Sequence, residues 1–236
     1  MANRALSSLR AEVYARLAES GSGFYTDAEI NQWLNDGVRD LSITTEPLVT
    51  TATVTTVTGT REYKLPTDHL SVKRAFFLDT GDAWYDLTET TWEDLFDGDS
   101  DWENDSNGQP EKWYWRQDVI GLAPAPSADY SGAATLRIMY SYIPAAMSAD
   151  ASTTGLSEWL DDAVILFAVY RGYLKDRDFQ RAGATSQEYS RGVAEAAIKL
   201  NRHRKQHAPR LVPDMRPYRQ YWGRGRGAGI IRVQDS

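Results

Sequence analysis

The sequence predicts an α+β fold in which helices from both ends of the chain form a bundle, with a β-rich insertion between them. Apolar residues recur every three or four positions at both ends, and β-branched or alternating runs lie in the middle. Prolines and glycines are concentrated at the C-terminal end. The 236 residues therefore divide into N-terminal helices (1–47), a β-rich insertion (48–148), C-terminal helices (149–207) and an extended basic and aromatic arm (208–236).

Two amphipathic helices are predicted at the start of the chain. The first covers residues 3–19, ends at the Gly-Ser-Gly of residues 21–23, and has an apolar face made of Leu6, Leu9, Val13 and Leu17. The second begins at Thr26, because Thr26 and Glu29 fit a capping box that satisfies free N–H groups of the first turn. Its apolar face consists of Ile30, Trp33, Leu34 and Leu41, and Pro47 ends the helical region.

The middle of the chain is predicted to form strands because its apolar runs are short, β-branched or alternating. These runs are Val49–Val57, Tyr63–Leu65, Leu70–Leu78, Ala83–Leu87, Trp113–Trp115, Val119–Leu122 and Leu136–Tyr142. The segment Asp79-Thr80-Gly81-Asp82 is predicted to form a hairpin turn. Trp84, Trp113 and Trp115 are expected to pack against cross-strand neighbours, although a glycan-binding platform could look similar.

Residues 89–111 are acidic and contain no lysine or arginine. They are predicted to begin as a short helix with Trp92, Leu95 and Phe96 facing inward, and to continue as a loop from Asp97. The acidic residues from Asp97 onward are spaced as in a calcium-binding loop. An EF-hand, however, needs glycine at the position of Trp102 and glutamate at the position of Gly108. A solvated acidic loop is the favoured interpretation.

Two further helices follow. Apolar residues lie almost all round the segment Leu156–Leu174, which indicates a central buried helix. The last helix has an apolar stripe of Phe179, Ala182, Tyr189, Val193, Ala196, Ala197 and Leu200. Trp33 and Trp159 both lie on helical apolar stripes and are expected in the core.

The charge of the chain is unevenly distributed. Residues 1–198 hold 16 basic and 31 acidic side chains, a balance of −15, whereas the remainder holds 10 basic and two acidic ones, a balance of +8. An acidic body with a basic arm is typical of a protein that binds partners, and it is unfavourable for wrapping duplex DNA around the body. The longest apolar run, Ala163–Tyr170, is far shorter than the ~20 residues of a membrane span, and no signal peptide is visible. We therefore expect a protein made in a cytoplasm, without a membrane partner.

No complete catalytic or cofactor-binding set is visible. The absence of cysteine excludes disulfides, thiolate metal sites and cysteine nucleophiles. His203 and His207 have the spacing of two zinc ligands, but the glutamate of a metalloprotease motif is missing between them. The preferred interpretation is that they belong to a group of cationic side chains that stabilises the C-terminal end of a helix. We predict no catalytic residues, no metal and no cofactor. A cell-wall-degrading enzyme or glycan-binding module, using carboxylates and tryptophans of the insertion, is the alternative.

The arm is the predicted partner-binding element, because it interleaves arginine with aromatic residues and has no core of its own. Its candidate residues are Arg216, Tyr218, Arg219, Tyr221, Trp222, Arg224, Arg226, Ile230 and Ile231. A protein is the favoured partner, and single-stranded DNA or RNA is the alternative, since arginine–glycine segments with aromatics also bind nucleic acid.

Several ordered motifs resemble the head-to-tail adaptor (connector) proteins of tailed bacteriophages. The motifs are Thr26–Ile30 with Trp33–Gly37, Leu65–Leu70, Gly108–Pro110 with Trp113 and Tyr114, Ile120–Pro126, and Leu136–Tyr140 through Pro144. Together they cover roughly residues 24–200 in the family order.

The resemblance implies a structural protein of the virion neck, made in the host cytoplasm. Such adaptors form a ring, typically twelvefold, below the portal protein. The ring extends the channel through which double-stranded DNA passes without sequence-specific binding, and it provides the docking surface for tail or nozzle proteins.

Overall fold

The computed structural model describes residues 4–18, 23–78 and 83–207, with their side chains except those of residues 133–134 and 201–207. The helices of this part are α1 (Leu6–Arg16), α2 (Asp27–Thr45), α3 (Trp92–Gly98), α4 (Glu158–Lys175) and α5 (Phe179–His207). The strands are β1 (Val49–Thr56), β2 (Glu62–Lys64), β3 (His69–Leu78), β4 (Trp84–Asp86), β5 (Thr88–Glu89), β6 (Lys112–Arg116), β7 (Val119–Ala123) and β8 (Gly132–Tyr142). The predicted α+β fold is confirmed.

Helices from both ends of the chain share one hydrophobic core. The apolar stripes predicted for α1 and α2 are buried, and α4 contributes Leu160, Val164, Ile165 and Ala168 from several sides of the helix. The periodicity of these segments is the cause, since an apolar stripe must be buried against another element. Gly37 lets α2 and α4 approach closely, because a Cβ there would lie 3.2 Å from the ring of Phe167.

The ends of α2 follow local rules. The capping box is confirmed: the Thr26 hydroxyl accepts a hydrogen bond from the Glu29 N–H, and the Glu29 carboxylate accepts one from the Thr26 N–H. The helix ends at Thr45, and Glu46 then adopts a left-handed conformation with φ 45° before Pro47. The side chain of Glu46 forms an ion pair with Lys73 of β3, which links the end of α2 to the strands.

Eight strands form two four-stranded sheets that pack face to face. Their orders are β1-β8-β3-β4 and β2-β7-β6-β5, and all pairs are antiparallel except β5 with β6. One core contains residues of both sheets, including Phe77, Leu136 and Ile138 of the first sheet and Trp113 and Ile120 of the second. The alternation predicted for β8 is confirmed, whereas the two-residue strand β5 was not predicted.

A second, smaller apolar cluster lies on the outer face of the β2-β7-β6-β5 sheet. Tyr114 of β6 lies opposite Gly121 of β7, and Leu95 of α3 and Trp102 pack over it. Trp102 belongs to a 3-10 helical turn, Trp102–Asn104, within the acidic stretch. The acidic stretch is therefore a folded layer that covers the sheet, anchored by apolar residues that are spaced through it.

Four aromatic side chains are more exposed to solvent than the sequence predicts. Phe96 is 47% exposed, because α3 is only two turns long and turns Leu95 alone fully inward. Trp159 (43% exposed) and Phe179 (71% exposed) lie in the first turns of α4 and α5, where the neighbouring helices do not cover them. Trp115 is 41% exposed because it lies near the end of β6, beyond the centre of the shared core.

Two predicted turns and the arm lie outside the described residues. These are the glycine-containing end of the first helix at residues 21–22, the hairpin turn at residues 79–82, and residues 208–236. The antiparallel pairing of β3 with β4 is described on either side of the predicted turn.

Candidate partner-binding surfaces

The candidate residues of the arm, Arg216, Tyr218, Arg219, Tyr221, Trp222, Arg224, Arg226, Ile230 and Ile231, all lie outside the described residues. His203 and His207 lie within α5, in the part whose side chains are not described. The structure therefore neither brings these residues together nor separates them. What it does describe is the set of surfaces on the folded body.

One aromatic side chain, together with Val193 and Ala196, fixes the helix α5 to the bundle core. The Tyr189 hydroxyl donates a hydrogen bond to the Asp40 carboxylate of α2, and its ring meets that of Phe167 of α4 edge-on at 5.4 Å. Burial, together with the Asp40 carboxylate, raises the pKa of the Tyr189 hydroxyl, so this donor keeps its proton throughout the physiological range. The inner face of α5 is thereby held against α2 and α4.

The outer faces of the bundle carry large apolar side chains. Ile43 of α2 is 52% exposed and Ile198 of α5 is 54% exposed, in addition to Phe179. Trp159 of α4 lies beside Lys199 of α5, whose Nζ is 5.2 Å from the ring centroid. Single exposed apolar residues are common on protein surfaces. Several of them nevertheless lie exposed on the surface of one small bundle.

A single lysine joins the C-terminal end of α4 to the N-terminal end of α2. Lys175 Nζ lies 2.8 Å from both carboxylate oxygens of Glu29 and donates to the Phe24 carbonyl at 2.6 Å. The same ammonium lies 4.6 Å from the Phe24 ring centroid. The hydrogen bond from Lys175, supported by those of Thr26, lowers the pKa of Glu29 to about 2. The pair therefore remains ionised well into the acidic range.

One buried carboxylate lies in the bundle without full compensation. Asp161 of α4 is completely buried; its Oδ1 accepts a hydrogen bond from the Thr154 hydroxyl, whereas its Oδ2 has no partner among the described residues. Desolvation by burial raises the pKa of this carboxyl, against smaller opposing effects of Thr154 and Arg4. Such a group destabilises the folded state when it is ionised.

The layer formed by α3 and the following turn has an acidic and aromatic outer surface. We call it the acidic-aromatic surface. Its exposed acids are Glu89, Glu93, Asp94, Asp97, Asp99, Asp101, Glu103, Asp105 and Glu111, and none of them forms a salt bridge with a described residue. Between these acids, the rings of Trp92 and Phe96 stack with centroids 5.6 Å apart. The guanidinium of Arg116 lies 5.9 Å from the Trp92 ring centroid.

A pocket of about 150 Å³ opens beside this layer. Its lining residues are Arg61, Leu95, Trp102, Asp105, Glu111, Lys112, Ala123 and Pro124. Arg61 is held in place through Nη2, which donates to the carbonyls of Glu103 and Asp105, and its Cζ lies 5.1 Å from the Trp102 ring centroid. Two buried donors, Arg61 Nη1 and Trp102 Nε1, have no acceptor among the described residues.

The edge strand β1 is a further exposed feature. It pairs only with β8 among the described strands, and its sequence Val-Thr-Thr-Ala-Thr-Val-Thr-Thr has no charge and no proline. Edge strands of this kind can accept another strand, because their outer N–H and C=O groups are unpaired.

Neither a metal cluster nor a membrane span is found in the described part of the chain. No three His, Cys, Asp or Glu side chains in residues 4–18, 23–78 and 83–200 are grouped to hold a metal ion. Over the same part of the fold, no helix combines the length and apolar character needed to cross a bilayer.

A comparison with protein-family models identifies the family of the chain. The family model described as SU10 adaptor protein matches residues 4–214, which include every described helix and strand. The chain belongs to the SU10 adaptor protein family. A comparison with curated proteins gives no match.

Membership of the SU10 adaptor family makes the chain a bacteriophage adaptor protein and a component of the virion neck. The resemblance inferred from the ordered motifs is thereby confirmed. The matched range ends at residue 214, so all nine candidate residues of the arm lie beyond it. Their role remains a prediction that rests on this chain's own sequence.

Sequence reasoning missed several residues that shape these surfaces. The contacts of Arg61 with Trp102 and of Lys175 with Glu29 join residues that are far apart along the chain. Lys175 and Glu29, for example, are 146 positions apart. Asp161 lies on a helix that is apolar almost all round, but its neighbour Asp162 on the same helix is exposed, so no local signal in the sequence marks Asp161 as the buried carboxylate.

Proposed function

We propose that this SU10 adaptor forms a ring in the virion neck, binds the portal ring through its arm, and presents the surface to which tail or nozzle proteins attach. The family match over the entire described fold carries this proposal. The twelvefold ring and the DNA channel belong to the proposal, as does the absence of catalytic activity.

Ring formation is supported by the exposed apolar residues of the bundle. Ile43, Phe179 and Ile198 project from two helices whose inner faces are already fixed to the core. Neighbouring bundles would bury these side chains against each other in the ring. The balance of −15 over residues 1–198 opposes such packing, so a template is required to bring the protomers together.

The acidic body also suits a channel for DNA. Duplex DNA carries a high density of negative charge, and a wall of the same sign does not retain it. Double-stranded DNA would therefore slide through the ring without sequence-specific binding. The protein would contribute shape and docking surfaces to the neck, and no chemical step.

The arm supplies the proposed portal contacts. Its 29 residues reach at most ~100 Å when extended, which is long enough to follow the surface of an adjacent ring. Aromatic side chains would fill pockets on the portal, arginines would pair with its carboxylates, and the two isoleucines would add to a sheet edge. The residues concerned are Arg216, Tyr218, Arg219, Tyr221, Trp222, Arg224, Arg226, Ile230 and Ile231.

The test is to mix the purified adaptor with its portal ring and to image the product by electron microscopy. The full chain should give portal rings capped by a second ring, whereas a chain ending at His207 should not. The truncated chain should keep its thermal unfolding profile, because the described core residues end at Ala196. A triple variant Tyr218→Ala/Tyr221→Ala/Trp222→Ala should also fail to bind, with Gln220→Ala as the matched control.

Two results would refute the proposal. If the truncated chain joins portal rings with undiminished affinity, the arm is not the anchor, and the bundle surface must be. If the full chain forms no complex with portal rings but degrades cell-wall glycan, the enzyme alternative is correct.

A further inference from the structure

We propose that two copies of the free chain pair through the edge strand β1, as a symmetric antiparallel dimer that joins their β1-β8-β3-β4 sheets. The proposed function does not use this edge, and the contact needs no portal, so the inference goes beyond the adaptor role. The partner is a second copy of this chain, and the contact is a ladder of main-chain hydrogen bonds between the two β1 strands.

The first argument is that β1 lacks the features that protect the other edges of the two sheets. The other three edge strands of the described fold, β4, β2 and β5, are two or three residues long, and each contains a charged residue. By contrast, β1 has eight residues and no charge. It lies within residues 47–60, the longest run of the sequence without Asp, Glu, Lys or Arg. Short strands and charges are the usual protection of an edge, so β1 is the edge that remains ready to pair.

The outer main-chain groups of β1 are available for a second strand. No backbone group of residues 49–55 forms a hydrogen bond with a described residue outside β8. The irregularity in the β1–β8 pairing lies in β8, because Val54–Thr56 of β1 corresponds to the longer segment Gly132–Leu136 of β8. The side chains of β1 and the residue after it therefore alternate strictly, with exposed side chains at residues 49, 51, 53, 55 and 57.

The second argument is that the sequence of this edge reads almost the same in both directions. Residues 49–57 are Val-Thr-Thr-Ala-Thr-Val-Thr-Thr-Val, and reversal exchanges only Ala52 and Val54. Two antiparallel copies of this strand can be related by a two-fold axis that passes through Thr53. Each residue then faces the residue that lies equally far on the other side of Thr53 in the partner. Such pairing of one patch with itself is what a two-fold contact requires.

This register brings complementary side chains together on the exposed face. Val49 is 46% exposed and Val57 is 56% exposed, and each valine would face the other kind in the partner, so apolar surface is buried at both ends of the contact. Between them, Thr51 would face the partner's Thr55, and Thr53 would face its own copy. Threonine pairs on opposite strands are favourable. The register centred on Thr53 therefore matches valine with valine and threonine with threonine.

Length and charge select a second β1 as the occupant of this edge. The edges β4, β2 and β5 would pair with it along three residues at most, whereas another β1 has the same length. The folded bodies repel each other, since residues 1–198 carry a balance of −15, and an uncharged contact adds least to this repulsion. Added salt should therefore strengthen the dimer, because it screens exposed charges. One pair of strands is a small contact, so the Kd should be about micromolar or higher.

A two-fold contact is complete with two copies and cannot extend into a ring. In the proposed ring all protomers point the same way, so neighbours share no two-fold axis and the dimer must separate before assembly. This consequence, unlike the dimer itself, rests on the proposed function. The dimer would then be a reserve of free chains that does not form rings without a template.

Disulfide cross-linking tests the register, because the natural chain has no cysteine. In the variant Thr53→Cys the two thiols face each other across the axis, at the Cα separation of about 4.5–5.5 Å that a disulfide can bridge. Diamide, which oxidises two thiols to a disulfide, should convert this full-length variant into covalent dimers. The matched control is Thr51→Cys on the same strand and face, whose two thiols lie about 14 Å apart in the dimer. It should cross-link about tenfold more slowly, and mixing it with Thr55→Cys should restore rapid cross-linking.

Sedimentation velocity measures the dimer without cross-linking. The native chain should show a dimer fraction that rises with protein concentration and with salt. Thr53→Glu places two carboxylates face to face in the dimer and should weaken it about tenfold, whereas in the monomer the new carboxylate lies opposite Arg137 of β8. Gln187→Glu adds the same charge at an exposed position of α5 and should leave dimerisation unchanged. An equimolar mixture of Thr53→Glu and Thr53→Lys should dimerise at least as well as the native chain.

Three results would overturn the proposal: a native chain that stays monomeric at the highest attainable concentration, equal cross-linking of Thr53→Cys and Thr51→Cys, or association that Thr53→Glu leaves unchanged. No portal is present, so these results are independent of portal binding. A charged variant that fails to fold is recognised by its thermal unfolding profile. The two cysteine variants then decide, because they add no charge to the strand.

Discussion

Substitution of Gly121 by alanine should dislodge the acidic layer from the sheet. An alanine Cβ at this position would lie 2.1 Å from Cζ, 2.4 Å from Cε1 and 2.5 Å from Oη of Tyr114. The tyrosine ring lies directly across the neighbouring strand at the glycine, and it fills the space that a side chain would occupy. It cannot retreat freely, because the Trp102 ring meets it edge-on at 5.7 Å and its hydroxyl donates to Glu62 at 3.1 Å.

The expected cost follows from this geometry. Inserting a methyl group into a packed site typically costs about 1–3 kcal/mol, and a ring enclosed on both sides places Gly121→Ala near the upper value. Tyr114→Ala should cost about 3–5 kcal/mol, as for other buried aromatic residues. In the double variant the ring is gone, so the alanine at 121 adds little. The double-mutant cycle should therefore give a coupling energy of about −2 to −3 kcal/mol.

Urea unfolding of the four proteins, followed by tryptophan fluorescence, measures this coupling. Gly183→Ala is the control, because a Cβ there meets nothing within 4 Å and the position lies inside α5. That change should stabilise the protein by up to about 1 kcal/mol. Additive free energies in the Gly121/Tyr114 cycle would refute the reasoning, since they would show that the ring and the glycine do not compete for the same space.

Three further predictions concern the bundle. Thr26→Ala removes the capping box and should lower the free energy of unfolding by about 1 kcal/mol, measured by urea denaturation. The pKa of Glu29 is lowered, so Lys175→Met should destabilise the protein at pH 7, and this effect should fade as the pH falls from 4.5 to about 2. The pKa of Asp161 is raised, so Asp161→Asn should raise the midpoint of thermal unfolding at pH 7, with a gain that shrinks as the carboxyl becomes protonated in acid. A pH-independent effect would contradict either of the last two.

The fold was predictable where the pattern is local and periodic. The stripe from Leu6 to Leu17, the Thr26–Glu29 box and the alternation in β8 each depend on neighbours within a few positions, and all three are present in the structure. The errors lie at short or terminal elements. Phe96 and Phe179 were placed inward because an apolar residue at helical spacing is usually buried, but a two-turn helix or a first turn offers too little neighbouring surface.

The candidate surfaces were much less predictable from the sequence. The acidic composition of residues 89–111 was visible, yet nothing local shows that Trp102 folds back over Tyr114 or that Arg61 closes the pocket. These contacts depend on the register of β6 against β7 and on segments about 40 positions apart. Register is a property of the assembled sheet, whereas composition is a property of the chain.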